Sequence, residues 1–257
     1  MITQTQLEGD LRRLGIRAGS RVVVHSSLRA VGHVEGGAET AAAALIGVVG
    51  PEGLVVAPTF TYDSPRFDPA VTPGRTGALA EALRRRPDAV RSLHPFYSVA
   101  AVGSGAAELC AGHELLAATA AGTPLDRLAA SGGLVLLLGV DHTANTTAHV
   151  GEFRADAPYL DIPFDPTWPT EAEVLLPDGS TRRYAYDRFP GCSRAFGALD
   201  RPLTGVTHAG RVGAASALLV PGEAVIDAVV SLLRTDVAAL LCGDQDSYRC
   251  VRARARL

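Results

Sequence analysis

Asn145, His149 and Glu152 form the group in this chain best suited to moving a proton, with the histidine four residues after the asparagine and three before the glutamate. A carboxylate held against an imidazole decides which ring nitrogen carries hydrogen and leaves the other free to accept one. On a helix, spacings of three and four bring such side chains to one face. The preceding residues 134–140, LVLLLGV, form a short apolar run set off by Gly133 and Gly139, the pattern of a strand covered on both faces. A turn at 141–143 and a helix from about Asn145, with Asn145 or Thr143 as its cap, would place the trio just past a strand's C-terminal end. Open α/β sheets usually carry their chemistry there.

Other segments offer donors. The strand expected at 21–25, RVVVH, runs into Ser26, Ser27 and Leu28, a small hydroxyl turn that could meet a phosphate or carbonyl oxygen or simply cap the next element. His25 is either a satisfied core histidine or a site residue. Residues 91–98, RSLHPFYS, gather Arg91, His94 and Ser98, a set suited to phosphate recognition, although chance clustering on a loop gives the same pattern. A second buried strand at 54–57 ends in PTFTYD, which presents Tyr62 and Asp63, and the irregular 64–74 would wall a cleft. A metal is not expected, because His149 and Glu152 supply only two ligands from one helix, even with His142 nearby. No GxSxG elbow and no GxGxxG fingerprint occur.

The positioning elements follow from periodicity. Helices are expected at 5–15, 39–49, 76–86 and 106–116, the last with Cys110 buried and His113 at the surface, and 122–130 leads back to the central strand. After a proline-rich excursion at 158–169, the alternating 171–176 and 181–186 flank Pro177-Asp178-Gly179 and read as a β-hairpin. A short helix at 193–201, a final sheet strand or buried segment at 211–220 and a closing helix at 221–233 complete the series, with 243–257 as a loosely held arginine-rich tail. Strands alternating with helices, without internal repeat or linker, predict one α/β domain over 1–257, a central mixed sheet flanked by helices.

With 257 residues and a 47% hydrophobic fraction, the chain can bury a core. It shows no secretory leader pattern and no long apolar run, so a cytoplasmic location is expected. Four scattered cysteines without a CxxC pair read as reduced thiols. Between Asp141 and Asp178 eight acids face the single Arg154, giving −7 against a net −3 and leaving +4 elsewhere. Such a division suits a cationic ligand on one side and an anionic one on the other, or merely solvated loops. The 24 basic residues are all arginine, which excludes lysine chemistry.

The stretches VVVHSSLRAVG (22–32), PTFTYD (58–63), RSLHPFYSVAAVG (91–103), LLLGVDHTANTTAHVGEFR (136–154) and GRVGAASALLV (210–220) resemble the aminoglycoside N(3)-acetyltransferase family, in order and at family-like separations. The resemblance implies an α/β fold distinct from the GCN5 type. It also implies transfer of acetyl from acetyl-CoA to the 3-amino group of a 2-deoxystreptamine antibiotic, conferring resistance. By position, His149 matches the general base and Glu152 its orienting carboxylate. Ser26, Ser27 and Leu28 match a CoA-contacting turn, with Arg91, His94 and Ser98 on the same side, and His25 matches the first motif's histidine. Tyr62 and Asp63 fall where the family lines its aminoglycoside cleft, and Asp156, Asp161 and Asp165 are acidic candidates by charge. Ser98 or Thr147 would serve as oxyanion donors. The implied partners are acetyl-CoA and an aminoglycoside, with no metal, nucleic acid or membrane, and a monomer or homodimer. Acetylation of a different amine in biosynthesis, or CoA binding without turnover, stays open.

Overall fold

The computed structural model describes residues 1–257. In chain order its strands are β1 (Arg21–Ser26), β2 (Leu54–Pro58), β3 (Arg66–Phe67), β4 (Val90–Arg91), β5 (Val99–Gly103), β6 (Leu134–Leu138), β7 (Glu171–Leu175), β8 (Thr181–Ala185), β9 (His208–Val212) and β10 (Ala215–Pro221). Its helices are α1 (Gln4–Leu14), α2 (Leu28–Val31), α3 (Gly37–Val49), α4 (Ala78–Arg84), α5 (Ala106–Cys110), α6 (Pro124–Ala130), α7 (Thr147–Arg154), α8 (Asp200–Leu203), α9 (Gly222–Thr235) and α10 (Tyr248–Arg256).

Seven strands form a mixed sheet in the order β4-β5-β2-β1-β6-β10-β9, as the alternation of strands and helices predicts. β1 pairs in parallel with both β2 and β6, and the outer pairings are antiparallel. The β-branched and leucine runs of β1 and β6 suit strands buried on both faces. Along β1 the side chains alternate: Val22 and Val24 join the core beneath α1, α3 and α4, whereas Val23 joins the opposite core with α6, α7 and α9. Because β1 lies between β2 and β6, the winding reverses there. Ser26 and Leu138 are register partners at the C-terminal ends of β1 and β6, so a crevice opens between the loops that leave these strands.

α7 is drawn onto this end of the sheet by close packing on α9. A Cβ on Gly151 would sit 2.5 Å from Val229 Cβ, so the small residue lets the two helices approach. A second sheet, β3-β7-β8, contains the expected hairpin. Its inward residues Ala172, Val174 and Tyr184 build an aromatic cluster with Phe60, Phe67, Phe96 and Tyr97. No helix is long and apolar enough to cross a membrane.

Three expectations change. Residues 211–220 read as one strand or buried segment in the sequence, but β9 and β10 form a hairpin turning at Gly213, whose φ is +59°. The expected helix 106–116 ends at Cys110, and His113 is buried rather than at the surface: Ser92 Oγ–H donates to its Nδ1 at 2.9 Å and its Nε2–H donates to the Ala118 carbonyl at 3.1 Å. The 243–257 tail folds into α10, because Cys250 and Ala253 share an apolar face and Arg249 finds acceptors inside the protein.

Candidate active site

The crevice deepens into a cavity of about 390 Å³, within the range of small-molecule sites. β1 contributes Val24, His25 and Ser26, and β2 contributes Pro58. The loop after β6 supplies Val140 and residues 143–146, and α7 supplies His149. Phe60, Tyr62, Tyr97, Phe164 and Trp168 form an aromatic wall, while Pro190, Gly191 and Ser193 close the far side.

His149 sits in the first turn of α7, its backbone amide bonded to the Thr146 carbonyl at 3.0 Å. Asn145 lies just ahead of that helix rather than on it. Its Oδ1 accepts from the Thr147 amide at 3.1 Å and its Nδ2 donates to His142 Nδ1 at 3.1 Å, which fixes the helix start. His149 Nδ1–H donates to Glu152 Oε2 at 2.6 Å, so in the neutral ring Nε2 is the nitrogen with the lone pair, and it has no protein partner. Phe196 holds the ring from the side, with centroids 4.8 Å apart.

Glu152 is 1% exposed, and each of its oxygens is engaged. Oε2 also accepts the Gly191 amide at 3.1 Å, and Oε1 accepts Tyr159 Oη–H at 3.1 Å. Burial alone would raise this carboxyl, but the charge and hydrogen bond of His149, the nearby Arg249 and the Gly191 amide outweigh it. The group therefore lies below the ordinary carboxylate range. Arg249 stacks on Tyr159 at 5.5 Å and donates to the carbonyls of Ile162 and Phe189. Burial pushes Tyr159 upward and Glu152 pushes it further, which keeps its proton on the donating oxygen. His25 is pulled down to about 3, by burial first and then by His149 and His142, so it is neutral, and its buried Nε2 has no partner.

An imidazole steadied by a buried carboxylate at the mouth of a mixed sheet is an arrangement able to accept a proton, and comparison with known proteins supplies the family. The model of the family described as aminoglycoside 3-N-acetyltransferase matches residues 23–234. The chain belongs to the aminoglycoside 3-N-acetyltransferase family. Members are acyltransferases. Aminoglycoside N(3)-acetyltransferase VII of Streptomyces paromomycinus is 35% identical over 88% of this chain and 89% of its own. The apoenzyme of aminoglycoside acetyltransferase AAC(3)-IVa superposes with a TM-score of 0.87 at 31% identity, covering 99% of this chain and 97% of that one. A histidine-to-alanine mutant of AAC(3)-IVa in complex with a gentamicin matches equally well. AAC-IIIb, solved as a binary complex with CoASH, gives a TM-score of 0.78 at 30% identity over 91% of this chain and 96% of its own.

Within this acetyltransferase fold, His149, Glu152, His25, Ser26 and Tyr62 come together at the cavity. Other residues singled out in the sequence do not reach it. Leu28 packs against the core beneath α1 and α3. Ser27, the residue before α2, takes its place through its backbone, the amide donating to the Leu138 carbonyl at 2.9 Å.

Arg91 spends its guanidinium on Ser98 Oγ and the carbonyls of Thr59, Pro69 and Thr72, stacks on Phe67 at 4.7 Å, and is drawn down to about 10 by burial. His94 accepts the Phe96 and Tyr97 amides on Nδ1 and donates Nε2–H to Tyr184 Oη at 2.8 Å. Ser98 donates to the Thr59 carbonyl at 2.9 Å. His94 and Ser98 are buried, Arg91 is half-buried, and all three pin the loops behind the cavity, so they offer nothing to a phosphate, and Ser98 has no hydroxyl left for an oxyanion. Thr147 Oγ1 is buried without a partner and lies outside the lining.

The acidic candidates are spoken for by arginines. Asp63 pairs with Arg75, Asp156 with Arg188 and Asp161 with Arg256, while Asp165 caps its own turn through Thr167. No aspartate or glutamate lines the cavity. Tyr159, Gly191, Arg249 and the aromatic wall other than Tyr62 are not among the site residues singled out in the sequence. In the sequence Arg249 stands only as one of the arginines of the 243–257 tail.

Proposed function

We propose that this chain moves acetyl from acetyl-CoA to the 3-amino group of a 2-deoxystreptamine aminoglycoside, conferring resistance, by direct transfer with His149 as general base. The 2.6 Å bond from His149 Nδ1 to a buried, ionised Glu152 carries this reading, because it fixes the tautomer whose Nε2 can accept a proton at the cavity. An aminoglycoside amine is largely protonated near neutral pH, and only its free lone pair attacks a thioester. His149 takes the proton, and Glu152 stabilises the imidazolium that forms. The nitrogen–carbon bond then closes, the carbon–sulfur bond breaks, and CoA leaves as a thiol after protonation.

The thioester end of acetyl-CoA lies beside Ser26 at the end of β1, with the hydroxyls of Ser26, Thr143 and Thr146 as candidate donors to the developing oxyanion. Tyr62, Tyr97 and Trp168 offer aromatic faces to an ammonium group. Tyr62 holds a strained φ of +61° and lies 5.6 Å from the Trp168 ring, a cost of the kind that collects at binding sites. The complexes of relatives with a gentamicin and with CoASH support both ligands. A reaction that consumes acetyl-CoA belongs in the cytoplasm.

The absence of a carboxylate from the lining favours a second reading, acetylation of a less cationic amine by the same machinery. Gentamicin, kanamycin and neomycin supplied together with acetyl-CoA separate the two. Thiol release with mass and NMR signatures of 3-N-acetylation is the expected result, and CoA release only with simple amines would replace it by the second reading.

A further inference from the structure

Three cysteines far apart in the sequence, Cys192, Cys242 and Cys250, meet in the fold. Their sulfurs lie within 4.8 Å of one another, and Cys192 Sγ is 3.8 Å from Cys242 Sγ. All are buried, at 2%, 9% and 0% exposure. A tetrahedral zinc with bonds of about 2.3 Å keeps its sulfurs about 3.8 Å apart, whereas a disulfide brings them to about 2 Å. The fourth thiol, Cys110, stands alone and donates to the Val90 carbonyl at 3.6 Å.

We propose that Cys192, Cys242 and Cys250 bind a zinc ion as three thiolates, with a solvent ligand completing the tetrahedron on the side of Cys242, the least buried of the three. On binding, three sulfur–hydrogen bonds release protons to solvent and three sulfur–zinc bonds form, with no change of oxidation state. The centre then carries a net negative charge, and arginines stand around it: Arg249 precedes Cys250, and Arg254 donates to the Leu241 and Cys242 carbonyls.

Such an ion joins two parts of the chain that serve the active site. Cys192 follows Gly191, whose amide holds Glu152, and Cys250 follows Arg249, which holds the Phe189 carbonyl. Zinc therefore braces the loop that supports the carboxylate and takes no part in acetyl transfer itself.

The full chain, purified reduced and without chelator, is expected to contain about one zinc by elemental mass spectrometry. Cobalt added to chelator-stripped protein should give a thiolate-to-cobalt charge-transfer absorption, and zinc should raise the melting temperature of stripped protein. Cys192→Ser and Cys242→Ser are expected to lose the metal, and Cys110→Ser to keep it. Stripped wild-type protein with all thiols reduced that takes up less than about a tenth of an equivalent of zinc and shows no cobalt–thiolate band overturns the proposal. Equal loss of metal in Cys110→Ser also overturns it. The wild-type titrations decide the matter even where a serine variant fails to fold.

Discussion

The proposed proton-accepting unit is an imidazole and a carboxylate whose surroundings leave each one task. His149→Ala should lower kcat by about two to four orders of magnitude with little change in antibiotic affinity, read by steady-state kinetics and equilibrium binding. Glu152→Gln should cost less and move the acidic limb of the pH–rate profile to lower pH, since the amide no longer favours the imidazolium. Gly191 tests the geometry from the other side. A Cβ there would fall 2.5 Å from Glu152 Oε1 and 2.7 Å from Oε2, so the carboxylate would have to move. Gly191→Ala should therefore lower kcat by roughly tenfold or more while leaving KM for acetyl-CoA nearly unchanged, because misplacing a catalytic group costs rate. Wild-type turnover in that variant would show that Glu152 need not stay where the fold holds it.

Between elements, α7 supplies the proposed base and α10 anchors what stands behind it. Arg249 is a fully buried cation that offsets Glu152 and ties two loop carbonyls. Arg249→Leu should destabilise the fold by about 3 kcal/mol, because it removes a charge that offsets buried Glu152 and leaves the Ile162 and Phe189 carbonyls unpaired, and denaturant unfolding at neutral pH would measure it. Local patterns carried much of this architecture. The apolar runs of β1, β2 and β6, the hairpin about Asp178-Gly179 and the HxxE spacing on α7 all depend on neighbours a few residues away. The cage around Glu152 was not legible, because its donors come from Tyr159 and Gly191, 7 and 39 residues on. The run of acids after Asp141 misled for a related reason. A charge counted along the chain takes no account of Arg75, Arg188 and Arg256, which arrive from elsewhere to neutralise individual members and Asp63.

Across the whole molecule, the fold keeps His25, His94 and His113 neutral by burying them. Released by unfolding, each imidazole takes a proton near pH 6.5, whereas in the fold His113 does so near about 4 and His25 near about 3. The unfolded state thus binds more protons as pH falls. The stability these rings contribute is whole above about pH 6.5 and is lost progressively below it, at roughly 1.4 kcal/mol per pH unit for each ring. Denaturation midpoints should drop steeply between about pH 6.5 and 4.5, before the carboxylates join. A flat profile would mean that the rings are charged in the native state. The near-total enclosure of Glu152 reaches further still. Counter-ions in solution have no path to a group held behind its own imidazole, so ionic strength should act on the capture of a polycation and not on the chemical step. At saturating substrates, kcat measured from about 0.05 to 0.5 M salt should stay level.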